Sequence, residues 1–267
     1  MNFKTLFLIT ALLWGKLNHA NAQAYGYYAF SSCISQGNSC FAALNNPAEL
    51  INAKTTLSYS ISNPYGVKDL YAVGINLQSS TSHFGAGISW QNEGNQAYHF
   101  NKFGVSTALK PSKDISVGLK GHFELISIAK YALKKRCNID LSISVVANSK
   151  IKTSFLVKNL IHFKTNTGNE YNHNQTIVWG LAYNIEKRIK LLLEIEKSKL
   201  IPIQLKAALS VQKDSVFNIN ICSSNAGRQL GLGIGMKKKK VELGFAFTAH
   251  IVLGFSTCLS LAYEIKS

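Results

Sequence analysis

Proline is scarce in this sequence, with 4 residues in 267. No proline-rich or serine-rich stretch divides the chain, so the sequence predicts one domain rather than several joined by linkers. Arginine is also rare and occurs only as Arg136, Arg188 and Arg228, although the formal net charge is +16. Because arginine is the residue suited to bidentate contacts with phosphates and bases, this scattered lysine excess argues against a nucleic-acid-binding protein.

The sequence also lacks the residue spacings of common catalytic and metal sites. The 5 cysteines include no CxxC pair, and the 7 histidines form no cluster with metal-ligand spacing. The glycines at 231, 233 and 235 alternate along a predicted strand, and no helix pattern follows them, so they are not a nucleotide-binding loop. We therefore expect no enzymatic activity, no metal and no cofactor.

Residues 1–22 have the pattern of a secretory signal peptide. Lys4 supplies a positive charge, the apolar run from Leu6 to Trp14 is too short to cross a bilayer, and Ala20-Asn21-Ala22 is a small-residue cleavage site. We expect an exported mature chain that begins at Gln23. The alternative is that the segment stays uncleaved as an anchor.

From Lys54 onward, large apolar residues alternate with small or polar ones. In the stretch 241–248, one face carries Val241, Leu243, Phe245 and Phe247, and the other carries Glu242, Gly244, Ala246 and Thr248. A soluble β-sandwich exposes a face rich in lysine, glutamate and threonine, whereas the minor faces here hold mostly glycine, alanine and serine. A membrane barrel places its large apolar residues against lipid and its small or polar residues inside.

The alternating segments number about fourteen, an even count within the range of outer-membrane barrels. Tight turns and longer loops alternate between them, as short periplasmic turns and longer external loops do. The longest predicted loop, from Ile161 to Asn174, is the candidate outer contact. The apolar stretch from Gly244 to Tyr263 is predicted as strand, loop and strand, because it alternates at both ends. The sequence thus predicts an all-β, transmembrane antiparallel β-barrel over residues 54–267, in the outer membrane.

The segment before the first strand resembles a family signature. Asn45-Asn46-Pro47-Ala48, followed by Glu49 and Leu50, is similar to the NPAGL-like motif of the PorV/PorQ-like outer-membrane barrels of Bacteroidetes, with Glu49 where glycine is usual. Later stretches resemble the family in order and spacing, namely Glu194 to Lys197, Pro202 with Leu205 to Ala207, Gln229 to Gly233, His250 to Gly254 and Leu259 to Tyr263.

This resemblance implies an N-terminal segment folded into the barrel and a role without catalysis. Some members of the family act in type IX protein secretion, and FadL-type relatives move hydrophobic solutes. Our first expectation is an accessory component of protein export, and the alternative is a channel for hydrophobic small molecules. A secreted soluble β-sandwich adhesin is a second alternative. The expected partners are outer-membrane lipid and either secretion-system proteins or a hydrophobic solute, with no nucleic acid.

Residues 23–53 lack strand alternation, and we expect them to form a plug segment. A barrel of about fourteen strands encloses more space than the side chains of a small barrel fill. The candidate plug motif is Asn45, Asn46, Pro47 and Ala48. The alternative is an ordinary turn that leads into the first strand, since asparagine and proline are common turn residues. Cys33 and Cys40 lie close together in this exported segment and are candidates for a disulfide.

Charged residues also occur at inward positions of the predicted strands. The candidate lumen residues are Lys120, His122, Glu124, Glu194, Glu196 and Lys206. We expect the two later glutamates to neutralise the lysine on the next strand rather than to act as an acid–base pair. The first three are expected to form a buried polar network, the alternative being a polar path. The lysine run 237–240 is predicted as a solvated periplasmic turn, with contact to anionic headgroups or a partner as the alternative.

Overall fold

The structure of the chain is a computed structural model. It describes residue 35 and residues 40–51, 53–95, 97–129, 133–164, 175–199, 201–214, 216–225 and 228–266. The expected signal peptide and most of the expected plug segment lie outside the described residues, so these boundaries stay predictions.

Fourteen antiparallel strands close into one barrel, in which each strand pairs with its neighbours in the sequence and the first pairs with the last. This confirms the predicted fold class. The β-sandwich alternative is wrong, because the strands form one closed sheet. The strands are β1 Thr55–Asn63, β2 Tyr71–Ser80, β3 Phe84–Gly94, β4 Tyr98–Leu109, β5 Ile115–Ile128, β6 Lys134–Val146, β7 Ile151–Lys164, β8 Thr176–Glu186, β9 Ile189–Ser198, β10 Gln204–Gln212, β11 Phe217–Ser224, β12 Gln229–Lys238, β13 Val241–His250 and β14 Gly254–Lys266.

The two faces of the barrel have the polarity that the alternation predicts. On β13, the side chain of Phe245 is 49% exposed, whereas the next residue, Ala246, is 3% exposed. The same contrast recurs around the barrel, with Val105 and Ile88 exposed on the outer face and Ser106 and Ser89 buried on the inner face. A continuous apolar outer surface of this kind is suited to contact with lipid.

In the described residues before β1 there are two short helices, namely α1 Ala42–Asn45 and a 3-10 helix Pro47–Leu50. Between them, the Asn46 side chain accepts a hydrogen bond from the Ala48 N–H at 3.1 Å. Pro47 suits the first position of the second helix, because that position needs no N–H donor. Among the described residues, no helix is long and apolar enough to cross a membrane.

The strands on the longer-loop side extend further than predicted. β7 continues to Lys164, so the predicted start of the outer loop at Ile161 is wrong. The alternation persists in this stretch, where His162 bonds to Asn138 inside the barrel and Phe163 is 53% exposed outside. Residues 165–174 lie outside the described part, so the loop's role as an outer contact stays a prediction.

A β-bulge interrupts β7 opposite Asp140 of β6. Asn159 adopts a positive φ of 56° there, and its backbone N–H donates to Asp140 Oδ1 at 2.7 Å. Lys158 and His162, which flank the bulge, both face the lumen, where they reach Glu196 and Asn138 respectively.

Candidate functional site in the barrel lumen

The described part of the N-terminal segment, residues 40–51 and 53, lies inside the barrel against β1 to β7. We call it the lumen segment. All of its side chains except those of Cys40 and Asn45 are buried, and Ala43 and Leu50 are 0% exposed. Backbone N–H and C=O groups that leave water must find partners, because each unpaired group costs free energy comparable to a lost hydrogen bond. The inward side chains of the strands supply these partners.

Polar side chains on five strands bond to the backbone of the lumen segment. Ser58 and Asn76 donate to the Cys40 carbonyl at 2.6 and 2.8 Å, and Ser106 donates to the Ala43 carbonyl at 2.8 Å. Further bonds join Gln78 Oε1 to the Ala43 N–H (3.3 Å), Lys120 Nζ to the Leu44 carbonyl (2.7 Å) and Ser142 Oγ to the Ala48 N–H (2.9 Å). The small polar residues of the inner wall therefore bind a chain segment rather than line an open pore.

Glu49 is the only charged residue of the lumen segment, and it is 5% exposed. Its Oε1 accepts hydrogen bonds from Ser144 Oγ at 2.8 Å and Ser154 Oγ at 3.2 Å. Its Oε2 forms an ion pair with Lys152 Nζ. A carboxylate withdrawn from water is stable only with such partners. Glu49 therefore anchors the segment to β6 and β7.

Glycines on the inner wall make room for the lumen segment. A Cβ atom added at Gly87 would lie 2.5 Å from the Ala43 Cβ, and one added at Gly85 would lie 2.8 Å from the Leu50 Cβ. At Gly118, an added Cβ would clash with the backbone of Ala48. Gly121, on the same strand but facing outward, has nothing within 4 Å of the added atom. The inner glycines and the segment are therefore complementary in shape.

The candidate plug motif lies at the turn between the two short helices, inside the barrel. Asn46, Pro47 and Ala48 are buried, and Asn45 is half-buried. Cys40, one of the two candidates for the disulfide, is half-buried at the start of the lumen segment. Cys33 lies outside the described residues, so the disulfide stays a prediction.

A polar cluster fills the inner wall between β4 and β7. His122 Nε2 lies 3.3 Å from Glu124 Oε1, and His122 Nδ1 lies 3.4 Å from Asp140 Oδ2. Lys102 Nζ contacts the same Glu124 oxygen at 3.3 Å. Lys120 is directed instead to the lumen segment, through its bond to Leu44. The cluster is an ion-paired interior network. Among the described residues, no group of three or more histidine, cysteine, aspartate or glutamate side chains could hold a metal ion.

A second charged cluster joins β7, β9 and β10. Lys206 Nζ lies 2.7 Å from Glu194 Oε1 and 2.9 Å from Glu196 Oε2. Lys158 Nζ lies 3.7 Å from the other oxygen of Glu196. Both carboxylates are thus engaged by ammonium groups, which leaves neither placed as a free general base.

The inner wall of β7 to β14 carries apolar side chains beside this cluster. We call them the inner apolar band, which consists of Leu156, Val178, Ala182, Leu192, Ala208, Cys222, Ala246 and Cys258. Val178 is 0% exposed, and the other members of the band are buried or half-buried. A cavity of about 10 Å³ lies between the band and the second charged cluster, enough for roughly one water molecule.

Two toluene transporters and a FadL homologue are among the solved structures similar to this chain. The toluene transporter TbuX of Ralstonia pickettii has a TM-score of 0.70 at 7% identity, covering 92% of this chain and 99% of that one. A FadL homologue of Pseudomonas aeruginosa has a TM-score of 0.64 at 9% identity, covering 94% and 99%. The toluene transporter TodX of Pseudomonas putida has a TM-score of 0.60 at 7% identity, covering 92% and 98%. No protein-family model and no curated protein matches the chain.

The chain has the fold of the FadL-type outer-membrane barrels. At these identities the likeness concerns the fold alone. Within this barrel, the candidate charged residues lie in two separate clusters, and Lys120 contacts the lumen segment.

Sequence reasoning missed the residues that hold the lumen segment. The sequence alone does not single out Gly85, Gly87 or Gly118, and it marks Glu49 only as a departure from a motif. A signal was present, because these glycines fall at inward positions of β3 and β5. The inner apolar band was also missed, since Leu156 and Val178 lie in stretches where apolar residues occupy both faces.

Proposed function

We propose that this chain is an outer-membrane conduit for small apolar molecules, closed in this state by its N-terminal segment. The observation that carries the proposal is the inner apolar band. A water-filled porin has a polar interior, whereas the inner wall of β7 to β14 here also carries leucine, valine, alanine and cysteine side chains beside the second charged cluster. The fold likeness to two toluene transporters supports the same class of solute.

The lumen segment is the closing element of this conduit. It occupies the side of the lumen opposite the band, and its bonds to β1 to β7 are polar contacts that water can replace on release. The conduit therefore has a closed state with the segment bound and an open state with the segment displaced. The same assignment gives the plug motif its role as the turn that sets the segment across the lumen.

The accessory role in protein export stays a prediction. It rests on the sequence resemblance and on an outer loop whose tip, residues 165–174, lies outside the described part of the chain. Neither the described contacts nor the similar solved structures favour a secretion partner.

Uptake of labelled toluene by cells that produce the protein in their outer membrane tests the proposal. We expect faster uptake than in cells without the protein. Ala246→Trp places a bulky side chain in the inner apolar band and should lower uptake to the background. The control is Ala249→Trp on the same strand, which faces outward because its strand partners Leu230 and Phe255 are exposed.

Folding of both variants is checked by their faster gel migration without boiling. Equal uptake with and without the wild-type protein would overturn the proposal. Equal loss in the two folded variants would show that the inner apolar band is not the route.

A further inference from the structure

Four consecutive lysines, Lys237 to Lys240, end β12 and form the turn to β13, and their side chains do not all face the same side of the barrel wall. Lys237 faces the lumen, where its Nζ lies 3.6 Å from Glu264 Oε2. The next residue, Lys238, faces outward in the alternation of β12, and Lys239 has a positive φ of 54° that reverses the chain. Lys238, Lys239 and Lys240 take part in none of the ion pairs formed between described residues. Three unpaired positive charges are thus grouped on the outer rim.

These lysines form one wall of a groove of about 490 Å³. The other wall is apolar and consists of Met236, Val241 and Leu243. The volume lies within the roughly 300–1,000 Å³ of typical small-molecule sites. The groove is therefore amphipathic, with charge at the turn and apolar surface toward the middle of the barrel wall.

The position of the groove matches the boundary between lipid and water. Val241 pairs with Tyr263 on β14, and Met236 pairs with Phe217 on β11. Both aromatic side chains are exposed on the outer surface, where aromatic girdles mark the membrane interface of such barrels. The short turns lie on the periplasmic side in outer-membrane barrels. The lysines therefore stand at the headgroup level of the periplasmic leaflet.

Nearby carboxylates do not compete for the groove. Glu264 points inward to Lys54 at 2.7 Å and to Lys237. Asp214, in the neighbouring turn, accepts hydrogen bonds from the backbone N–H groups of Val216 and Phe217 at 2.7 and 2.8 Å. Glu242, between two groove residues, lies on the inner face of β13, so the charged residues that line the groove are all cations.

We infer that this groove binds an anionic glycerophospholipid of the periplasmic leaflet, with its phosphate between Lys238, Lys239 and Lys240 and the start of an acyl chain along Met236, Val241 and Leu243. Clustered lysines beside a membrane attract anionic lipid headgroups. The apolar wall distinguishes this ligand from a soluble phosphate, because it continues into the lipid-facing surface of β12 and β13. The inference is independent of what the lumen carries.

Lipid retention by the purified full-length protein tests the inference. The protein is placed in detergent micelles doped with equal amounts of phosphatidylglycerol and phosphatidylethanolamine, and the lipids that it retains are measured by native mass spectrometry. We expect at least a tenfold preference for phosphatidylglycerol. The preference should disappear in the variant Lys238→Gln, Lys239→Asn, Lys240→Gln, in which asparagine suits the positive φ of position 239.

The matched control is Lys187→Gln, Arg188→Gln, Lys213→Gln, which removes the same number of positive charges from neighbouring exposed turns. It should keep the preference. If both variants are folded, as shown by heat-modifiable mobility on gels, and both lose the preference equally, the inference is overturned, because the positive charge of the rim as a whole would then attract the lipid. Displacement of phosphatidylglycerol by inorganic phosphate at equal concentration would overturn it in favour of a soluble anion.

Discussion

Replacing Glu49 by glutamine should release the lumen segment. The amide keeps the length of the side chain and an oxygen that accepts from Ser144, but it loses the charge that faces Lys152. Hydrogen bonds to charged groups contribute about 1.5–3 kcal/mol. Because the Lys152 side chain is 27% exposed and regains some water, we expect a cost of about 2 kcal/mol to the bound state. A difference of about 1.4 kcal/mol is tenfold, so release becomes roughly 30-fold more favourable.

Single-channel recording in planar bilayers measures this change as the fraction of time spent in conducting states. The control is Glu196→Gln, which also removes one negative charge from the lumen. Glu196 pairs with Lys158 and Lys206 rather than with the lumen segment. Adding Lys152→Gln to Glu49→Gln removes the stranded ammonium and should restore part of the closed fraction, as expected for coupled residues. Equal conducting fractions in the two single variants, both folded, would refute the anchoring role of Glu49.

Three further predictions concern the packing of the lumen segment, its role as a plug and the lipid-facing side of the strands. Gly118→Ala should raise conductance by displacing Ala48, whereas Gly121→Ala should not; equal effects in planar bilayers would contradict the fit of the segment. Deleting residues 23–48 should leave a folded barrel with raised conductance, and unchanged conductance would show that the segment is no plug. Phe245→Arg should cost about 2–4 kcal/mol of stability in liposomes. Ala246→Ser should be nearly neutral, and equal effects in urea unfolding would refute the assignment of faces.

The strands were predictable because each carries its own two-residue period. A segment such as Val241–His250 shows its outer and inner faces in its own residues, and pairing with the next strand in sequence needs only a turn. Strand ends were less predictable, as at β7, where Ile161 to Lys164 continue the ladder with β6 past a bulge. The bulge depends on a contact between Asn159 and Asp140 that no local pattern announces.

The arrangement inside the lumen was not predictable from period alone. The path of the lumen segment is set by contacts across 18 to 105 positions of sequence, such as Cys40 with Ser58 and Glu49 with Ser154. The ion pairs between Glu194, Glu196 and Lys206 were within reach of the sequence, because adjacent strands bring inward residues opposite each other.

The hydrogen bonds of the lumen segment also constrain the order in which the molecule assembles. They reach Ser58, Asn76, Ser106, Lys120, Ser142 and Ser154, all on β1 to β7. The first half of the sheet thus contains all these partners before β14 pairs with β1 and closes the barrel. Contacts of shorter sequence separation form faster, because less chain entropy is lost in closing them. The segment is thus expected to settle on an open, curved half-sheet, and the last seam closes around it, so that no chain end has to thread a finished ring.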